Sequence, residues 1–222
     1  MGGARPNCCE VISNATRAGR ICAGSGYRGA VGFSRAELES FRDVAVPDLI
    51  GPGVRLLFVG INPGLWTAAT QTHFAHPGNR FYPALRRAGI LDRDMDRAGG
   101  MTDEDRAYLV ARGLGITNLV NRATARADEL SPPELRAGSL RLTELVRKHR
   151  PRVVAVAGIT AYRTAFNRPR AGGGEQPESL AGARLWVVPN PSGLNAHQTL
   201  DTLAEAYAAP ARAAGVLEPS AG

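Results

Sequence analysis

The sequence predicts an α/β fold, in which a parallel sheet is covered by helices on both faces. Three observations predict it. Short apolar runs alternate with segments of helical period along the chain. Within each run the apolar residues are consecutive, as in strands buried on both faces. The runs end in Gly, Asn and Pro, at the carboxyl ends of strands where open α/β sheets bind ligands. At 222 residues one such domain is expected, with length enough for a core.

The elements follow in order. Residues 1–33 show no sustained period and read as a flexible basic leader, with the domain at 34–222. Ser34-Arg35-Ala36-Glu37 fits a capping box, so a short helix should run to about Arg42. Pro47 to Gly53 is turn-rich and leads into a first strand, Arg55–Ile61. A loop at 62–78 follows. Asn79–Ala88 reads as a helix with Phe81, Leu85 and Ala88 on one side and Gly89 as its stop. Thr102-Asp103-Glu104-Asp105 opens a helix with acids in its first turn, where the dipole favours them, and that helix should end near Gly113.

Gly115–Val120 is a second strand. Ser131-Pro132-Pro133-Glu134 starts a helix to about His149, with Leu135, Leu142, Leu145 and Val146 facing the core. Arg152–Ile159 is a third strand and Thr160–Phe166 a short helix. Asn167–Ser179, rich in Gly and Pro, should be a surface loop. Arg184–Val188 is the fourth strand, and Thr199–Ala208 begins the last helix. There is no internal repeat.

Composition narrows the class. Net charge is +7 and the pI about 10. Over half of the excess lies in residues 1–35, where five Arg face the single acid Glu10. Lys148 is the sole Lys, and Arg forks onto phosphate well, so a polyanionic partner fits. A genome biased toward Arg, Ala and Gly codons accounts for the same excess, so charge alone does not establish DNA binding. No segment approaches the roughly 18 apolar residues of a membrane span, and the N-terminus has no apolar signal core. A cytoplasmic protein is expected, associated with the nucleoid if bacterial. Cys8, Cys9 and Cys22 all lie in the leader, too few for a four-thiolate cluster and without zinc-site spacing.

Two strand ends carry the chemistry. Leu56–Gly64 is an apolar run closing in Gly60-Ile61-Asn62-Pro63-Gly64. Leu185–Leu194 repeats the arrangement with Asn190-Pro191-Ser192-Gly193-Leu194. Alone, Asn62 reads equally as a turn-capping residue. No Walker-type or dinucleotide Gly loop is present, which removes support for a nucleotide-binding protein.

With Phe74-Ala75-His76-Pro77-Gly78-Asn79-Arg80-Phe81 between them, these segments resemble the mismatch-specific uracil/thymine DNA glycosylases of the uracil-DNA glycosylase superfamily, over roughly residues 53–210. The resemblance implies a three-layer α/β/α sandwich around a four-stranded parallel sheet. It implies a monofunctional hydrolase of the N-glycosidic bond of uracil opposite guanine, with thymine or ethenocytosine as further candidates, acting in base excision repair. It implies no cofactor and no metal, double-stranded DNA with G·U or related mismatches as partner, and a monomer. By the same resemblance Asn62 and Asn190 are the catalytic positions, and Ile61, Gly64, Phe74 and His76 bind the substrate. Ser192, Gly193, Leu194 and Asn195 meet DNA, with Leu194 as the wedge that fills the gap left by the flipped nucleotide.

The residue chemistry agrees. An Asn can orient water but is no strong base, so slow chemistry that relies on positioning is expected. Thr67 and Ala68 are small enough to leave room for a base. Asn79 and Arg80 fix the loop. His197 could press on DNA or cap the next helix. A non-catalytic or very slow lesion-binding protein of the same fold is the alternative.

Overall fold

A computed structural model describes residues 32–193 and 198–218. The cysteines, most of the leader, Leu194, Asn195 and His197 lie outside the described residues. Seven helices and five strands follow one another in the described chain. They are α1 (Arg35–Glu39), β1 (Leu56–Gly60), α2 (Leu65–Thr70), α3 (Phe81–Arg87), α4 (Asp103–Ala111), β2 (Leu114–Asn118), α5 (Pro132–His149), β3 (Val153–Ala157), α6 (Ile159–Ala165), β4 (Gly174–Leu180), β5 (Ala183–Val188) and α7 (Leu200–Ala213).

The strands form one sheet in the order β2-β1-β3-β5-β4. The first four are parallel, as the sequence predicts, and β4 is antiparallel to β5. The fifth strand is the departure from expectation, since Asn167–Ser179 reads as a surface loop and Gly174–Leu180 is a strand. Its Pro177 and four polar neighbours are tolerated because the strand lies at the sheet edge and is largely exposed. Ala181 and Gly182, both at positive φ, make the tight turn that returns the chain into β5.

Strand alternation sorts the core into two layers. Leu56 and Phe58 of β1, with Val153 and Ala155 of β3, face α3, α4 and α7 through Phe81, Leu85, Leu109, Leu203 and Tyr207. Leu57, Val59, Val154 and Val156 face α5 and α6 through Leu135, Leu142, Val146 and Tyr162. Every residue of β1, β2 and β3 is buried, which is why β1 and β3 read as unbroken apolar runs, while β2 ends in the buried polar pair Thr117 and Asn118.

The helix starts follow their caps. Ser34, Thr102, Ser131 and Thr199 each accept from a first-turn amide in a reciprocal box. Asn79 lies before α3, and its Oδ1 accepts from the Phe81 amide at 2.9 Å. Helix α2 falls within 62–78, which the sequence reads as loop, and a 3-10 turn at Ala127–Glu129 falls between the second strand and the Ser131 helix start. Helix α2 spans six residues and has no side-chain cap, so it gives no pattern to read.

Close packing of α5 on the end of β2 yields a first prediction. A Cβ on Gly138 would stand 2.4 Å from the Leu119 carbonyl oxygen. Alanine is favoured over glycine in a helix by about 1 kcal/mol. A backbone atom cannot swing aside, so the overpacking penalty, up to ~3 kcal/mol, should win. Gly138→Ala is expected to cost a net ~1–2 kcal/mol, lowering Tm by several degrees in calorimetry.

Candidate active site

The chain enters β2 on one side of β1 and crosses to β3 on the other, so the carboxyl ends of β1 and β3 form a topological switch point. A cavity of about 610 Å³ opens there. Its floor is made by strand ends: Gly60 to Gly64 after β1, Asn118 at the end of β2, Ala157 of β3 and Asn190 after β5. Three of the four parallel strands therefore deliver an asparagine to one cavity.

Asn62 is held by its nitrogen. Nδ2 donates to the Thr124 hydroxyl at 2.7 Å and approaches the carbonyls of Arg122 at 3.0 Å and Pro63 at 3.1 Å. Carbonyls only accept, so the amide can take only this orientation. Thr124 is buried and passes its own hydrogen to the Arg126 carbonyl at 2.7 Å. With the donor committed, Oδ1 is the end left to act in the cavity, and no described residue donates to it. Asn62 thus has an acceptor, and no donor, left for a water in the cavity.

Asn118 is oriented from the other side. His73 is buried, and its Nε2 lies 2.9 Å from the Pro47 carbonyl, which fixes the proton on Nε2. Nδ1 is then an acceptor and takes the Asn118 Nδ2 hydrogen at 3.3 Å. Asn118 Oδ1 consequently points toward Gly60, where a Cβ would lie 2.5 Å from it. Sequence reasoning missed this residue. The signal available was its place at a strand end, shared with Asn62 and Asn190.

Burial lowers the His73 pKa below the ordinary 6.5, against the opposing pull of the Pro47 carbonyl and Asp48; Arg106 pushes the same way as burial. The sign follows. The unfolded chain takes up a proton below about 6.5 that the folded imidazole resists. Stability is therefore full above that value and lost as pH falls through the depressed folded value. Urea midpoints at pH about 7.5 and about 5.5 should fall in the wild type, and by less in His73→Gln.

Phe74 borders the cavity in a left-handed conformation, φ +56°, which a bulky residue adopts only when its surroundings enforce it. One ring face is stacked on Phe81 at 4.1 Å and 25°. Ile61 packs against the Gly158 turn, and Gly64 caps α2 with open space where its side chain would be. His76 is exposed at the rim, its Nδ1 accepting from the Gly78 amide at 3.1 Å, and it meets Trp66 edge-on. Thr67 lines the cavity. Ala68 does not: it turns into a small cluster with Val46, Leu65 and Ala123.

The second loop packs on the first. A Cβ on Gly193 would stand 2.9 Å from the Gly78 carbonyl oxygen, so this glycine is required by loop-to-loop approach. Asn190 Oδ1 accepts from the Ser192 amide at 3.0 Å. The Arg80 amide donates to the Pro191 carbonyl at 3.0 Å, and its guanidinium donates to the carbonyls of Ser192, at 2.9 Å, and Gln198. Arg80 thus fixes the loop, as the sequence suggests.

Among the described cavity-lining residues the one carboxylate is Glu39 at the rim, and it is bound to Arg42 at 2.8 Å. Among the described residues no group of three or more His, Cys, Asp or Glu side chains could hold a metal ion, and no helix is long and apolar enough to cross a membrane.

The fold is that of an α/β protein with a mostly parallel sheet, and a cavity lined by Asn62, Asn118, Asn190 and Phe74 lies at its switch point. The model of the uracil DNA glycosylase superfamily matches residues 47–210, and the chain belongs to that superfamily. Membership supports DNA glycosylase chemistry, with DNA as the molecule acted upon. Among solved structures, the fold is similar to the solution NMR structure of a provisionally assigned uracil DNA glycosylase from Methanosarcina acetivorans. The TM-score is 0.50 at 15% identity, over 78% of this chain and 96% of that one. At that identity the likeness speaks for the fold alone.

Proposed function

We propose that this protein is a monofunctional DNA N-glycosylase that flips uracil opposite guanine into the cavity and hydrolyses its glycosidic bond. The observation that carries the reading is the Asn62 amide at the cavity, whose nitrogen is engaged by Thr124 and the Arg122 carbonyl and to whose oxygen no described residue donates.

In this reading the flipped base lies on the ring face of Phe74 opposite Phe81, a contact worth ~1–3 kcal/mol in nucleic-acid systems. Asn118 Oδ1 accepts the N3 hydrogen of uracil. Cytosine has no hydrogen there, so a fixed acceptor sets the two bases apart. Asn62 Oδ1 accepts one hydrogen of a water and turns the water oxygen toward the anomeric carbon. The N-glycosidic pair leaves with the base as an anion while the water oxygen bonds to the sugar. The water gives its second proton to solvent, and solvent reprotonates the base.

Nothing in this scheme is a strong acid or base. Positioning and fixed dipoles supply the rate, and selectivity for mismatches comes from the lower cost of opening them. Asn190 shapes the loop over the base and, with Ile61, Gly64 and His76, encloses it. Ser192 and Gly193 meet the DNA backbone, Leu194 fills the vacated stack and Asn195 adjoins it. A cytoplasmic monomer is proposed.

The test is single-turnover release from matched substrates carrying U·G, U·A, T·G or single-stranded uracil. The reading expects the fastest release from U·G. Tight binding of mismatched duplex without release from any substrate would make it a lesion-binding protein instead.

A further inference from the structure

Residues 32–46 precede the segment matched by the superfamily model, yet they form part of the cavity wall through Arg35, Leu38 and Glu39. Their contacts converge on one loop, 121–129. The Asp43 amide donates to the Ala123 carbonyl at 2.9 Å, and the Ala123 amide donates back to Val44 at 3.2 Å. The Val46 amide donates to Asn121 Oδ1 at 3.0 Å. Arg42 pairs with Glu129, and Asp43 pairs with Arg122 at 2.9 Å. Leu38 and Phe41 pack on the cluster of Val46, Leu65, Ala68 and Ala123. This loop carries the Arg122 carbonyl and the Thr124 hydroxyl that hold the Asn62 nitrogen.

We propose that residues 32–46 are a brace belonging to the active site, with Phe41, Arg42 and Asp43 as positioning residues that keep the Asn62 acceptor aimed. The proposal rests on the assignment of Asn62 under Proposed function. The brace touches no reacting atom. It acts by limiting the freedom of the 121–129 loop, and a misplacement of about 1 Å at a reacting group costs about a hundredfold in rate.

The experiment uses the full-length chain and two readouts. One is hydrogen exchange of the Asn62 side-chain amide, followed by NMR. The other is the single-turnover rate on U·G duplex, with duplex Kd measured alongside. Arg42→Gln with Asp43→Asn removes three surface ion pairs, Arg42 with Glu39 and Glu129 and Asp43 with Arg122, and leaves the core intact, and Asn tolerates the left-handed conformation at position 43, φ +64°. Exposed pairs are weak, so faster Asn62 exchange and a roughly threefold to tenfold slower chemical step are expected, with Kd unchanged. Phe41→Ala should move both further.

Exchange and rate that stay at wild-type values in both Arg42→Gln/Asp43→Asn and Phe41→Ala overturn the brace. A loss of affinity with the chemical step intact also overturns it, and makes the segment a DNA-contacting surface. If exchange rises in the variants while the wild type releases no base, the glycosylase reading fails and the brace stands.

Discussion

Asn62→Ala should slow base release by about a hundredfold or more while duplex affinity stays at the wild-type value. Alanine removes the acceptor that aims water, an interaction made mainly in the transition state. It also releases Thr124 and the Arg122 carbonyl from their shared donor, at a modest stability cost of ~1 kcal/mol. The decisive measurement is single-turnover release under saturating enzyme, beside a binding titration on the same U·G duplex. Release at the wild-type rate would remove Asn62 from the chemistry.

Gly60→Ala should be nearly as damaging by a different route. Its Cβ would lie 2.5 Å from Asn118 Oδ1 and 3.3 Å from the Phe74 ring. Asn118 cannot turn away without breaking its hydrogen bond to His73, and Phe74 is pinned against Phe81. One methyl group therefore displaces both proposed base contacts. Overpacking costs ~1–3 kcal/mol in stability, whereas the loss of activity should approach that of Asn62→Ala. Thermal melting and single-turnover rates on one preparation check both halves. A variant that melts lower and cleaves normally would show that neither contact matters to catalysis.

The parallel strands, the capped helices and the cavity position were all legible in the sequence, because each rests on a local pattern. The apolar run 56–60 is buried at every residue, the Ser34 capping box forms as its spacing predicts, and helices start after Thr102 and Ser131 as expected. Legibility stopped where meaning depends on a distant partner. Thr124 and Asn62 are 62 residues apart, and nothing local announces their bond. Asn118 gains its orientation from His73, 45 residues away, and His73 in turn from Pro47. The approach of Gly193 to the Gly78 carbonyl is likewise a contact between distant segments, with no local signal. Strand β4 was hidden by its own composition: Pro, Glu and Gln read as loop, and only pairing to β5 makes them a strand.

That composition has a consequence for how the molecule behaves in a crowded solution. An outermost strand offers a row of unpaired amides and carbonyls on which a second chain can polymerise. Here Pro177 lacks a donor, and the pairing with β5 shifts register between Glu175 and Ser179. Glu175 and Glu178, tied to Arg184 and Arg168, place bulky charge along the same border. The parallel core is apolar enough to aggregate if its flank were left bare. The late, polar hairpin acts as its gatekeeper, so the sheet ends in a strand that is a poor template for further growth.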